Sequence, residues 1–226
     1  MFQLMRQILA SVHKRGLART VAFSKSELIR KYRQYRSFDR IHGTDTAGFT
    51  PLNDLSIASE NRDHGIQYQP TPAKLFTKII RHLPVRHEDY VFVDFGSGKG
   101  RVLLLASSHP FKRVIGVEFS PELHATALRN IAHYQSSKQR CFEIEAVCMD
   151  VVDYTIPPQP AIYYFFNPFD DVIMRTVLTN IKESLESHPR DAFFIYFNPV
   201  QAHLFDEFAF QKNRTILVEG GIWGHL

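Results

Sequence analysis

From Tyr90 onward, unbroken apolar runs alternate with segments whose apolar positions recur every three or four residues. The runs cover 90–95, 113–118, 142–149, 161–166 and 192–197, and each predicts a strand. Helical spacing fills the gaps. One helix is predicted from about Lys99 to Ser108. A second opens at Pro121 and runs to about Tyr134, with Leu123, Ala127, Leu128 and Ile131 inward. A third is capped by Asp170 or Asp171 and runs to about Ser187, with Ile173, Val177, Leu178, Ile181 and Leu185 inward. Continuous apolar strands separated by amphipathic helices imply a parallel sheet covered on both faces. From Asp206 the pattern predicts a short hairpin, 208–211 and 215–219, turning at Asn213.

Upstream the pattern weakens. A helix is predicted with Thr71 as its N-cap and Pro72 at its first position, its apolar face carrying Leu75, Phe76, Ile79, Ile80 and Leu83. Residues 41–70 hold mostly polar turn formers, and so long a stretch without periodicity is either disordered or wrapped over a functional face. Residues 1–40 are basic: ten Lys and Arg, from Arg6 to Arg40, face only Glu27 and Asp39. A solvated helical arm, a patch for nucleic acid or an acidic partner, and an organellar presequence over 1–26 all fit that charge.

Composition adds bounds. The 226 residues suffice for one α/β domain with an extension. A net charge of +4 is too mild to imply nucleic acid by itself. Cys141 and Cys148 have an odd separation along one apparent strand and are not expected to pair, which suits a reducing compartment and a cytoplasmic protein; a presequence would make it mitochondrial. No apolar run is long enough to span a bilayer, and no signal-peptide core appears near Met1. The eleven histidines are scattered, so no metal site is expected. Oligomeric state is not legible.

The candidate chemistry begins where the first strong strand ends. Asp94-Phe95-Gly96-Ser97-Gly98-Lys99-Gly100 places three glycines at alternate positions between a strand and a helix. Such glycines let the backbone turn sharply and a ligand come close. Gly98-Lys99 is followed by Gly100 rather than Ser or Thr, which departs from the phosphate loop. The third glycine falls one residue too early for the dinucleotide fingerprint. Glu118 ends the next strand, twenty residues after Gly98, where a carboxylate can accept from ribose hydroxyls. Asp150 follows the third strand, where it can accept from an adenine amino group. Each acid alone reads equally as a cap or a solvated turn.

Together, Asp94 to Arg101, Val117-Glu118-Phe119-Ser120-Pro121, Asp150 and Phe166-Asn167-Pro168-Phe169 resemble class I S-adenosylmethionine-dependent methyltransferases over about residues 66–219. The resemblance implies an α/β, Rossmann-like three-layer αβα sandwich with a seven-stranded, mostly parallel sheet and an N-terminal helical or irregular extension. It divides the chain at 65/66 into a basic extension, a candidate lid, and the cofactor-binding domain 66–226. It implies S-adenosyl-L-methionine as cofactor, held by Tyr68, Thr71, Asp94, Gly96, Ser97, Gly98, Gly100, Glu118, Asp150 and Asn167. Tyr68-Gln69-Pro70-Thr71 is similar to a stretch bordering the cofactor in protein lysine methyltransferases, among them Dot1-like enzymes and those acting on a membrane ATP synthase subunit; Lys99 departs from the acidic or small residue usual there. The chain from Phe38-Asp39-Arg40 through Asn167-Pro168-Phe169 looks most like bacterial members without an assigned substrate.

Asn167, Pro168 and Phe169 are the candidate catalytic residues. They are similar to the Asn/Asp-Pro-Pro-Tyr/Phe motif of amino-directed methyltransferases, where the Asn side chain and a Pro carbonyl accept from the target nitrogen and the ring stacks against it. This chain has one Pro where that motif has two. Asn198-Pro199 ends the neighbouring strand and is expected to share the pocket. A protein lysine is the expected acceptor, with nucleic acid, through the basic arm, or a small molecule as alternatives. An NAD-dependent oxidoreductase and a noncatalytic cofactor-binding protein are the readings from other classes.

Overall fold

The structure, a computed structural model, describes residues 35–216 and 220–225. The expectations for most of the basic arm and for a presequence over 1–26 lie outside these residues. Seven strands form one sheet: β1 (Val91–Phe95), β2 (Arg113–Glu118), β3 (Ile144–Cys148), β4 (Ala161–Phe165), β5 (Ala192–Phe197), β6 (Gln211–Ile216) and β7 (Gly220–His225). Their order is β3-β2-β1-β4-β5-β7-β6. The first five run parallel, and β7 returns antiparallel to β5. The chain reverses direction across the sheet beside β1, with β2 and β3 on one side and β4 and β5 on the other. A crevice therefore opens at the carboxyl ends of β1, β2 and β4, the usual place for a ligand in open α/β sheets.

Helices are α1 (35–42), α2 (Ala73–Ile80), α3 (Arg101–Ala106), α4 (Pro121–His133), α5 (Asp171–Ser187) and α6 (Ala202–Glu207). β1, β4 and β5 are buried at every position, as their unbroken apolar runs require. Their two faces seed separate cores. Phe95, Tyr163, Phe165, Phe194 and Tyr196 pack under α5 and α6, while Phe92, Tyr164 and Ile195 pack under α2 and α3.

Several local expectations are corrected. Thr71 does not cap α2: its hydroxyl meets the Tyr164 hydroxyl at 2.9 Å in the interior, and Pro72 takes the cap position without a side-chain bond. The helix after the glycine loop begins at Arg101, because Gly100 is left-handed (φ 80) and cannot be part of it. Leu128 is 48% exposed; around it on α4 the buried residues are Thr126, Ala127 and Asn130. The C-terminal hairpin pairs Gln211–Ile216 with Gly220–His225, so Asn213 lies within a strand. Gly220 and Gly221 lie in β7, opposite Phe197 and Tyr196.

Residues 44–70 are neither disordered nor a helix. They contain two short 3-10 turns and run as a strap over the carboxyl ends of the strands. Backbone bonds from Ile66 N–H to Pro168 O (2.9 Å) and from Asp170 N–H to His64 O (2.9 Å) seat the strap beside the end of β4. Leu55 and Ile57 bury against Leu123 of α4.

Candidate cofactor and acceptor site

The glycine loop forms the floor of the crevice. Gly96, Gly98 and Gly100 all have positive φ (79, 53 and 80). The three then do different work. A Cβ on Gly96 would fall 2.6 Å from Pro168 Cβ, and one on Gly98 would fall 2.2 Å from Tyr68 Cδ2. Gly100 instead meets Ala127 of α4, so its small size serves helix packing.

Glu118 joins the loop to the start of α4. It is 4% exposed. Oε2 accepts from Gly98 N–H (2.7 Å) and Oε1 from Ser120 N–H (2.9 Å). Burial pushes its carboxyl up to about 7, against the backbone donors that stabilise the anion. Asp94, just beneath, is held well above the usual carboxylate range by burial and then by the charge of Glu118. No donor among the described residues reaches the Asp94 carboxyl.

Two cavities flank Gly96. The first encloses about 370 Å³, part of it open to solvent, among Phe119, Met149, Asp150, Val151, Phe169 and Ile173. It is an apolar slot with one acid at its rim. The second, about 480 Å³, lies among Tyr68, Gln69, Gly98, Glu118, Phe166 and Asn167. Among the described residues no Lys or Arg lines either. An acidic and apolar lining suits a cationic sulfonium nucleoside, so the residues present fit S-adenosylmethionine.

The comparisons agree with this geometry. A family model described as "Putative methyltransferase" matches residues 88–169, which hold the glycine loop, Glu118, Asp150 and Asn167. Residues 88–169 are thus similar to a methyltransferase family. Its fold is similar to that of a "putative RNA methyltransferase" from Pyrococcus horikoshii, at 17% identity over 76% of this chain and 92% of that one, with a TM-score of 0.50. A predicted N6-adenine-specific DNA methylase from Listeria monocytogenes also has a TM-score of 0.50, at 12% identity over 70% of this chain and 51% of that one. An RNA methyltransferase from Salinibacter ruber, in complex with S-adenosyl-L-homocysteine, aligns at 18% identity over 69% and 91%, with a TM-score of 0.45. No curated protein matches the sequence.

Tyr68, Gly96, Gly98, Glu118, Asp150 and Asn167 line the two cavities. Thr71, Asp94, Ser97 and Gly100 do not. Thr71 is sealed against Tyr164. Ser97 turns its buried hydroxyl onto Gly116 of β2, where only a glycine leaves room. The 167–169 corner also departs from expectation. Phe169 is 6% exposed and packs edge-on against Phe165 in the core, so its ring is not free to stack on an acceptor. The Pro168 carbonyl already accepts from Ile66 of the strap. Asn167 keeps its place on the cavity wall, in a left-handed conformation (φ 42) that Asn tolerates. Asn198 is exposed and lines neither cavity.

The strap contacts were not legible from sequence. Asp150 Oδ2 accepts from the Ser59 hydroxyl and from Asn61 Nδ2 (2.9 Å), while Oδ1 accepts from Val152 N–H (3.1 Å). Arg101, 2% exposed, donates to Tyr35 O (2.9 Å), stands 3.6 Å from Asp39 Oδ1 and lies over the rings of Tyr35 and Phe38. Asp39 in turn accepts from Thr44, Thr46 and Ala47. Asn130 bonds both Asp45 and Lys99 O. Phe119 was also missed, although its place directly after Glu118, apolar where the strand has ended, marks it as a ligand-facing ring.

Among the described residues no helix is long and apolar enough to cross a membrane.

Proposed function

We propose that this chain transfers the methyl group of S-adenosylmethionine to the ε-amine of a lysine in a protein. The observation that carries the reading is the lining of the second cavity: the rings of Tyr68, Phe119 and Phe166 and the amides of Gln67, Gln69 and Asn167 beside Glu118, with no Lys or Arg among the described residues. A lysine stem fits an aromatic wall, and the acid suits its amine. The Tyr68 to Thr71 stretch, similar to that of protein lysine methyltransferases, points the same way.

Bound S-adenosylmethionine supplies a methyl group already activated by its sulfonium. The chain has to bind, align and exclude water. Asp150 accepts from the adenine amino group, and Phe119 covers the ring. Glu118 accepts from the ribose hydroxyls with the lone pairs that Gly98 and Ser120 leave open. Gly96 and Gly98 let the backbone approach. Asn167 accepts an N–H of the amine and aims its lone pair. Alignment of this kind can contribute about 7–11 kcal/mol. Residues 44–65 of the strap act as a lid over the domain that follows.

The test is radiolabelled S-adenosylmethionine added to lysate with purified enzyme, followed by separation into protein, nucleic-acid and small-molecule fractions. Label in protein, recovered as methyllysine, is the expected result. Label confined to RNA or DNA would overturn the reading.

A further inference from the structure

We infer that residues 59–69 of the strap couple the two chambers: filling the first with the adenosine half of the cofactor seats the strap, and the seated strap builds the outer wall of the second. This rests on the placement of adenine beside Asp150 proposed above and is independent of what the acceptor is.

One short run of chain serves both chambers. Asn61 and Gly65 line the first, and Ile66, Gln67, Tyr68 and Gln69 line the second. Between these two groups the strap lies antiparallel to the residues that follow β4, with Gly65 opposite Phe169. Its seat there has three polar points. Asp170 N–H donates to His64 O at 2.9 Å, His64 Nδ1 lies 2.7 Å from Asp170 Oδ2, and Ile66 N–H donates to Pro168 O at 2.9 Å. Tyr68 exchanges two backbone bonds with Thr50, at 2.9 and 3.1 Å. Residues 66–69 are therefore anchored through the seat at 64–66 and through Thr50.

Asp150 sets the sign of the coupling. A carboxylate accepts at about four sites. The Ser59 hydroxyl and Asn61 Nδ2 take two on Oδ2, and Val152 N–H takes one on Oδ1. Oδ1 keeps a site for an adenine amino group, so adenine and strap share this acid rather than compete for it. Phe119 adds a second link. It borders both chambers, and the strap crosses the edge of its ring at Gly65, where a Cβ would fall 2.7 Å from Phe119 Cζ. A base covered by Phe119 holds that ring in place for Gly65 to close on. The seated strap gives the first chamber Asn61 and Gly65, so a ligand there binds the seated state more tightly, and that difference shifts the strap.

Amide hydrogen exchange at Ile66 and Tyr68 reads the seat directly. Adenosine is the deciding ligand, because it lacks the amino-acid half that would itself touch residues 66–69. Saturating adenosine is expected to slow exchange at both amides at least tenfold, and S-adenosyl-L-homocysteine to do the same. Unchanged exchange with adenosine bound overturns the inference, as does faster exchange, the sign of competition for Asp150. Gly65→Ala keeps an ordinary backbone conformation (φ −75, ψ 162) and disturbs chiefly the contact with Phe119. In that variant the protection by adenosine is expected to be lost, while exchange at Val93 and Tyr163 in the buried strands stays as slow as in the wild type. Full protection in Gly65→Ala refutes the seating role. Failure of both ligands to bind the wild type refutes the placement of adenine and the coupling with it. Label found only in nucleic acid refutes the lysine reading and leaves the exchange result to stand.

Discussion

The ring of Tyr68 occupies the space that a side chain on Gly98 would need: a Cβ there falls 2.2 Å from Tyr68 Cδ2. Contact and conformation act together, since Gly98 is also left-handed (φ 53). Gly98→Ala is expected to lose about 1–2 kcal/mol from conformation alone, and more from the displaced ring. Thermal unfolding and calorimetric titration with S-adenosylmethionine should both show the loss. Adding Tyr68→Ala should recover part of the stability and none of the affinity.

Arg101 and Asp39 tie α1 to the start of α3 where water is scarce. Removing one partner of such a pair strands the other. Asp39→Ala is expected to cost about 3–5 kcal/mol in denaturant unfolding. Residues 44–47, which Asp39 also holds, should become the first site of proteolysis.

Glu118 makes stability fall with rising pH. Its carboxyl titrates at about 7 in the folded protein against an ordinary 4.5. The folded state therefore binds more protons between these values. That stabilisation is complete below about 4.5 and is lost as pH rises through about 7. Asp94 acts in the same direction. The protein without cofactor should unfold at lower temperature at pH 8 than at pH 5, and Glu118→Gln should flatten the slope.

Asp150 holds the strap with the carboxylate proposed to accept from the adenine. Asp150→Ala is expected to weaken S-adenosylmethionine binding by about 1.5–3 kcal/mol, the range for a hydrogen bond to a charged group. Hydrogen exchange at Asn61, whose N–H donates to Ser59 Oγ (3.0 Å), should accelerate in the same variant.

Asn198 is left-handed (φ 51) and exposed. Asn198→Gly should leave stability unchanged within a few tenths of a kcal/mol and turnover intact, whereas Asn167→Ala should abolish turnover. Equal losses in both variants would restore the shared pocket expected from the two Asn-Pro corners.

The parallel sheet was legible because β1, β4 and β5 are buried at every position, and burial of that kind writes an unbroken apolar run. Glu118 and Asp150 were legible because they stand at the ends of β2 and β3. The strap was not. Its bonds join Asp39 to Arg101, Asp45 to Asn130 and Ser59 to Asp150, pairs far apart in sequence that leave no period. Thr71 and Phe169 misled for a related reason. Each has the residue type its local motif wants, and each is claimed by the core instead, Thr71 by Tyr164 and Phe169 by Phe165. Leu128 shows the converse, an apolar side chain left outside while Asn130, two residues on, is buried and bonds two loops.

Gly96, Phe119 and Pro168 border both cavities. They form the wall that the two chambers share, so a ligand filling both meets the same three residues with each of its halves. The two halves also become separable tenants. An adenosine fragment and an amino-acid fragment should bind together without competing, and the bond that joins them gains its affinity by raising the local concentration of one beside the other.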